Sequence, residues 1–460
     1  MSRRDNGFCS MNGLKSPTMS AWFLSRRSAI GACLLGLLVL VGCDRPPTQF
    51  ESNVVQRVVL EQQTGVGLQQ ATADVDAALL ALFGTPDQPI VPAVLTTLVD
   101  EENIRRASGG VASREDGQHV GLYREHCAVC HGLNGSGRGP AAALQNPYPR
   151  DFRRGTFKFK STPRGQQPTR SDLLRTLVAG EPGTSMPSFA ALLEEDREAL
   201  VDYVMFLAVR GQLERELLSL AAREYDYGDE PLQAAERLFA AEASAAEPQL
   251  IAKQLEDIEQ TLVEIVDDWS AASQHVISVP PLPDYVGRAV AVESAGELDS
   301  ELAGRVSERL ASVQRGEALF HGEIANCVGC HGKQGAGDAV TLDFDDWTKD
   351  WTTRIGVTPS DREAIAPFQE VGALRPRPAK PRNLQLGAFR GGSHPAELYT
   401  RIAHGIDGTP MPAVTIVEEP SGLGLTVAQV WDLVNYVLSL SAEDVAAVSH
   451  ENLVLPESTL

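Results

Sequence analysis

The sequence predicts a mostly α-helical protein in which two similar small domains, residues 115–211 and 311–443, are joined by an acidic helical linker at 212–310. Three observations carry this expectation. The pentapeptides "CAVCH" (127–131) and "CVGCH" (327–331) place one motif, Cys-x-x-Cys-His, in the chain twice. A second frame, Gly-Thr-x-Met-Pro, also occurs twice, at 183–187 and 408–412, although the chain has only six methionines. Each copy then closes on an apolar run at helical spacing, Glu194 to Leu207 ending "DYVMFL" and Thr426 to Leu440 ending "NYVLSL".

The chain starts with an export signal, residues 1–42. Basic residues (Arg3, Arg4, Lys15, Arg26, Arg27) precede an apolar run from Ala29 to Val41 that is short for a membrane span. The run ends in Leu40-Val41-Gly42-Cys43, which resembles the bacterial lipobox, so Cys43 is expected to carry lipid after cleavage; an uncleaved anchor helix is the alternative. Ser25-Arg26-Arg27 resembles a twin-arginine signal, but the residues after it fit poorly. Both routes put the body of the protein outside the cytoplasm, on the periplasmic side of the cell envelope. Asp44 resembles the residue that retains some lipoproteins at the inner membrane. Residues 43–114 then read as a lipid tether with a helical extension, in which "ATADVDAALLALFG" is an amphipathic helix and "GTPDQPIVPAV" a turn-rich segment.

Charge narrows the function. The formal net charge is −21, and removal of residues 1–42 leaves 35 basic against 60 acidic residues, or −25. A nucleic-acid binder needs a basic surface, so that class is excluded. An acidic surface attracts basic partners.

Of the seven cysteines, Cys9 and Cys33 leave with the signal and Cys43 takes the lipid. The remaining four are those of the two Cys-x-x-Cys-His motifs, the attachment pattern for c-type haem. Two thiols two residues apart reach the two vinyl groups of one porphyrin, and the adjacent His131 or His331 comes beneath the iron. A redox dithiol and a zinc site are the competing readings. Two copies in an exported chain with no cysteine left over disfavour the first. The second fails because each histidine sits beside its cysteines instead of completing a tetrahedron. Two covalently bound haem c groups follow, with iron as the metal.

Each iron then has one axial position to fill, and a thioether there raises the potential. Met186 lies 55 residues after His131 and Met411 lies 80 after His331, separations that suit a small helical domain returning a loop to the far face. Pro187 and Pro412 stop any helix beside the ligand. Met205, inside "LVDYVMFLAV", reads as core. His126, His321, His394 and His404 compete as sixth ligands, but none repeats between the copies. Arg150 and Arg382 stand in matching Pro-Arg-Asp/Asn frames, and an arginine fork suits a haem propionate; a surface ion pair is the plainer alternative.

This order of helix, haem motif, loop, helix, methionine loop and final helix resembles the class I cytochrome c domain, twice over. The resemblance covers about half of the chain. It implies a close crossing of the first and last helices, for which Gly316, Phe320 and Tyr436 match the residue types used in the family. It also implies that the carbonyl of Pro140 accepts the ring N–H of the proximal His131. Copy one departs from the family at His119, where a packing glycine is common. Copy two has three extra residues between Phe320 and Cys327 and a long insertion at roughly 338–378.

The linker is strongly acidic. In it Ile251, Leu255, Ile258, Leu262, Ile265 and Trp269 form an apolar seam on one helix, able to pack on neighbouring helices or on a partner's. The stretch from Arg150 to Arg170 is basic instead, with Arg150, Arg153, Arg154, Lys158, Lys160, Arg164 and Arg170 against Asp151 alone. It reads as a solvated loop, or as a docking surface for an acidic partner or for the acidic middle of this chain. Residues 444–460 form a tail.

Together these features describe a membrane-anchored dihaem cytochrome that passes single electrons between periplasmic or membrane redox proteins of a respiratory or dehydrogenase chain, with no catalytic residues of its own. The alternatives are a dihaem enzyme of the peroxidase type, in which one iron opens a coordination site, and a fixed subunit of a larger complex.

Overall fold

The computed structural model describes residues 48–228, 232–287, 290–291, 300–339, 343–441 and 453–454. The signal segment, Cys43 and most of the tail therefore lie outside the described residues. Among the described residues no helix is long and apolar enough to cross a membrane.

The chain is helical because its helices are explicitly started and stopped. Asn53 caps α1 (Val54–Thr64), which ends on a left-handed Gly65. The expected amphipathic helix is α2 (Gln69–Phe83). Asp100 accepts the Glu102 and Asn103 amides to start α3 (Glu101–Ala107). The short α4 (Leu122–His126) and α5 (Ala128–His131) carry the first haem motif, and α6 (Arg170–Ala179) begins at a Thr169/Asp172 capping box. Then come α7 (Glu194–Glu224) and α8 (Pro248–Ala271). The second copy is built from α9 (Ser300–His321), α10 (Val328–His331), α11 (Asp346–Arg354), α12 (Arg362–Glu370), α13 (Pro395–His404) and α14 (Val427–Ser439). Two-residue strands at Ala112–Ser113 and His119–Val120 pair antiparallel as β1 and β2.

The second copy has the crossing that its residue types implied. A Cβ on Gly316 would collide with the carbonyl of Asp432, so only glycine lets α9 and α14 come this close. Phe320 and Tyr436 meet there with ring centroids 5.2 Å apart. A buried polar knot locks the register: Asp432 accepts from Ser312 at 2.6 Å and from Arg315 Nε at 2.9 Å, while Asn435 donates to Ser312 at 2.9 Å.

The first copy makes its crossing differently. Its packing helix is α3, well upstream of the haem motif, where Asn103 donates to the buried Asp202 of α7 at 2.7 Å. Asp202 and Asn435 occupy matching places in "DYVMFL" and "NYVLSL", so α3 is the counterpart of α9. Ser108-Gly109-Gly110 ends α3, and the β1–β2 hairpin returns the chain to α4. His119, taken from the sequence as a residue of the crossing, sits in that hairpin paired with Glu125.

Two further expectations are corrected. The last helix of copy one does not stop near 211 but runs unbroken through "LERELLSLAARE" to Glu224. Gly211 does not break it, because Arg153 packs where a Gly211 side chain would be. The segment 48–114 is not a tether in its described part: Val75, Leu79, Phe83, Leu95 and Ile104 are buried in one core with α7 and α8. That core also takes the apolar seam of α8, since Ile251, Ile258, Leu262 and Trp269 are buried and Leu255 and Ile265 partly so. The seam is therefore filled within the chain. A second core holds α9, α13 and α14, together with Val279, Tyr285 and Val286 from the end of the linker.

Candidate metal centres

Each haem motif folds into one helical turn. His131 N–H reaches Cys127 O at 2.9 Å and His331 N–H reaches Cys327 O at 2.8 Å, which brings thiol and imidazole to the same end of the turn. No disulfide joins the four cysteines of the two motifs. Burial pushes the Cys127 thiol up to about 12 and the Cys327 thiol up to about 11, with the second thiol of each pair adding to the effect. Among the described residues no group of three or more His, Cys, Asp or Glu could hold a metal ion. The residues therefore fit a haem whose porphyrin would be joined to the two cysteines through thioethers and whose iron would be held by the one imidazole, better than a zinc ion bound by side chains alone.

The motif continues with the same glycine spacing in both copies, as "HGLNGSG" (131–137) and "HGKQGAG" (331–337). Gly132, Gly135 and Gly137, like Gly332, Gly335 and Gly337, all have positive φ. The glycines fold a loop that binds the next segment: Phe152 N–H donates to Gly135 O and Leu384 N–H to Gly335 O, both at 2.7 Å. There "PRDFRRG" and "PRNLQLG" form matching single turns, capped by Asp151 and Asn383 and closed by left-handed Gly155 and Gly387.

These turns orient the histidines. His131 Nδ1 lies 3.0 Å from the carbonyl of Arg150, and His331 Nδ1 lies 3.2 Å from the carbonyl of Arg382. The ring N–H is thereby fixed on Nδ1 and Nε2 is left as the ligand nitrogen. Burial lowers the pKa of both rings, that of His131 to about 4, so each is the neutral imidazole that binds a metal. The resemblance gave this carbonyl role to Pro140. Pro140 is instead exposed, because the amides of Gly139 and Ala141 on either side bond to the carbonyls of Cys130 and Val129. Arg150 and Arg382 hold the role through their backbone. Their guanidinium groups make contacts of their own: Arg382 Nε donates to Ala388 O at 2.8 Å, and Arg150 is buried, which pushes it down to about 10.

The surroundings of the two histidines differ. His131 stacks on Phe152 at 4.5 Å, and Phe157 and Trp269 continue the aromatic row at 6.0 Å a step. Leu384 replaces Phe152 in the second copy, where His331 has Phe320 at 6.4 Å.

The methionine loops share three hydrogen bonds. Thr184 Oγ1 donates to Glu181 O at 2.8 Å and accepts Met186 N–H at 3.1 Å; Thr409 Oγ1 donates to Ile406 O at 2.9 Å and accepts Met411 N–H at 3.2 Å. Each loop closes on the methionine carbonyl, with Glu181 N–H to Met186 O at 3.1 Å and Ile406 N–H to Met411 O at 3.2 Å. Both methionines are half-buried. The threonine is thus the shaping residue of the repeated frame. Its role went unread in the sequence, although its recurrence was the signal. The competing histidines have other surroundings: His394 caps α13, His321 Nε2 lies 2.9 Å from Lys333 O, and His126 meets the ring of Phe189 at 6.1 Å. His404 ends α13 beside a cavity between the two copies.

Residues 116–208 and 313–441 match the cytochrome c family, one stretch for each copy. No curated protein matches the chain in sequence. Among solved structures the chain is similar to one described as the reducing HAO-like protein complex of Kuenenia stuttgartiensis, at 21% identity and a TM-score of 0.40, over 72% of this chain and 99% of that one. A likeness at that level carries no argument about function.

Proposed function

Residues 116–208 and 313–441 being cytochrome c domains, each with covalently bound haem c, we propose that the chain is a carrier passing single electrons between redox partners, with His131 and Met186 on one iron and His331 and Met411 on the other. The haem supplies the one-electron chemistry when bound. The chain supplies the rest. The Arg150 and Arg382 carbonyls hold the imidazoles in one tautomer and make Nε2 a better donor. Thr184 and Thr409 preset the methionine loops, so little reorganises when the charge on the iron changes. The observation that carries the reading is the identity of the two methionine loops. A structural methionine does not need the same hydrogen bonds twice, whereas a ligand does. Were His131 with Met186 and His331 with Met411 to hold the two irons, neither would offer a substrate an open site, which supports a carrier over an enzyme.

The oxidised protein is expected to show a near-infrared methionine-to-iron band from both haems, and Met186→Ala and Met411→Ala are each expected to remove half of it. A high-spin haem in the unaltered protein would overturn the reading in favour of the peroxidase type. We further propose that Cys43 is lipidated and holds the protein at the periplasmic face of the inner membrane, where its partners are periplasmic or membrane redox proteins. Cys43→Ala should then release the chain from the detergent phase; a chain that still partitions there is held by an uncleaved helix.

A further inference from the structure

We propose that the two haem domains exchange arginines: Arg382 of the second domain serves the methionine loop of the first, and Arg150 of the first serves that of the second. Each haem's potential is thereby set in part by a charge carried on the other domain. This rests on the reading of Met186 and Met411 as ligands.

The glycine of each Gly-Thr-x-Met-Pro frame carries the argument. A Cβ on Gly183 would overlap the guanidinium of Arg382. A Cβ on Gly408 would lie 3.4 Å from Arg150 Nη1 and from Thr156 Cγ2. Both glycines have positive φ, +71° and +64°, so conformation favours glycine at both and close approach adds to it at Gly183. The neighbouring contacts cross in the same sense. Glu181 Oε2, at the start of the first loop, accepts the Gly391 N–H of the second domain at 3.1 Å. Asp407 Oδ2, at the start of the second loop, accepts the Gly165 N–H of the first domain at 2.9 Å and pairs with Lys160 at 2.9 Å. Arg390 Nη2 donates to Gly183 O at 3.4 Å, and Arg164 Nη1 to Met411 O at 3.2 Å. The second domain thus presents Arg382, the Gly391 N–H and Arg390 to the first loop, and the first presents Arg150, the Gly165 N–H, Lys160 and Arg164 to the second.

The electrostatic consequence has a definite sign. Oxidation adds one positive charge at the iron. A guanidinium beside the methionine loop and partly withdrawn from water opposes that charge and raises the potential. Removing it lowers the potential of the haem in the opposite domain. In the arginine's own domain the bond to the histidine comes from the backbone carbonyl, which a side-chain change leaves in place, so the larger shift is expected in the opposite domain. An arginine clamping the propionates of its own domain would give the reverse pattern.

The test is a spectroelectrochemical titration of the dihaem protein carrying Arg382→Gln or Arg150→Gln, with the two waves assigned through Met186→Ala and Met411→Ala. Arg382→Gln is expected to lower the wave of the first domain's haem and Arg150→Gln that of the second, with Arg382→Lys restoring most of the first shift. Shifts confined to the arginine's own domain, or none, would overturn the proposal. A second background, Cys327→Ala with Cys330→Ala, leaves haem in the first domain alone; there Arg382→Gln should still lower the single wave, and an unmoved wave counts against the exchange. Failure of the ligand reading is separate, since it appears as a near-infrared band that keeps its full intensity in Met186→Ala or in Met411→Ala.

Discussion

At the scale of single residues, the histidine sites depend on side chains that never touch them. Asp151 is an example. It caps the turn whose first carbonyl, that of Arg150, holds His131, and it takes Arg153 as a two-pronged partner through Nε at 2.9 Å and Nη2 at 2.8 Å. Arg153 is only 2% exposed, so this pair is buried. Asp151→Asn leaves that guanidinium with the more distant Glu214 and Glu51 and is expected to cost about 3–5 kcal/mol. Burial works to raise the Asp151 pKa, but the pairing with Arg153 outweighs it and holds the carboxyl below its ordinary 3.8. A carboxylate with a lowered folded pKa contributes stability above its unfolded value and loses it as pH falls through the folded one. The stability gap between Asp151→Asn and the unaltered protein should therefore be full at pH 7 and narrow below about pH 3.8. Denaturant titrations at a series of pH values check this, and a gap that persists undiminished in acid would refute the pairing as its source.

At the scale of elements, the two helix crossings respond differently to the same kind of change. Gly316→Ala puts a methyl group against the Asp432 carbonyl and 2.8 Å from Tyr436 Cβ, with rigid helix backbone on both sides. The expected cost is about 1–3 kcal/mol. It should fall on the second domain alone, because the first uses α3 and Asn103 for its crossing. A thermal melt followed at both haems should show the transition of the second moving down and that of the first unmoved. Here the sequence was legible: Gly316, Phe320 and Tyr436 named the contact. The haem motifs, the helix after each methionine and the seam of α8 were equally readable, because local spacing determines them. What was hidden depends on distant residues. Nothing local announces that α7 runs on to Glu224, since Gly211 is tolerated only because Arg153 needs the space. Nothing in "PYPRD" or "KPRN" reveals that the arginine's carbonyl, and not Pro140, faces the histidine. The displaced packing helix at 101–107 was missed because a glycine-bearing hairpin separates it from its haem motif.

At the scale of the whole molecule, charge is distributed by use. The basic stretch from Arg150 to Arg170 meets α8 through the rings of Phe157 and Trp269, and its cations find partners elsewhere. Lys158 pairs with Asp345 at 2.9 Å, Arg154 with Asp350 at 3.2 Å and Lys160 with Asp407 at 2.9 Å, all partners in the second copy. Its cations are thus largely spent inside the chain, while α8 turns Glu256, Asp257, Glu259, Glu264, Asp267 and Asp268 to solvent. The insertion in copy two supplies much of the join. Trp351 and Phe368, 4.9 Å apart, give the segment 343–378 a small apolar centre of its own, and its far end closes over the loop that leads to Arg150. There Arg138 Nη1 reaches Gly372 O and Tyr148 Oη reaches Arg375 O, both at 3.0 Å. Arg377 lies 4.0 Å over the Tyr148 ring and donates to the Ala143 and Gln145 carbonyls. The insertion is therefore an arm of the second domain that holds the loop orienting the first domain's histidine. Arg377→Ala removes one cation–π contact and two hydrogen bonds to carbonyls, together about 2 kcal/mol. If opening of residues 143–150 is opposed mainly by the arm, their amide exchange should quicken roughly 30-fold, the factor that energy corresponds to, while exchange in α14 stays as it was. Because these contacts are short and partly dry, the effect should survive high salt, unlike that of a surface ion pair. Exchange that does not change would mean the loop is held by its own turn, and the arm would then be a passenger on the first domain.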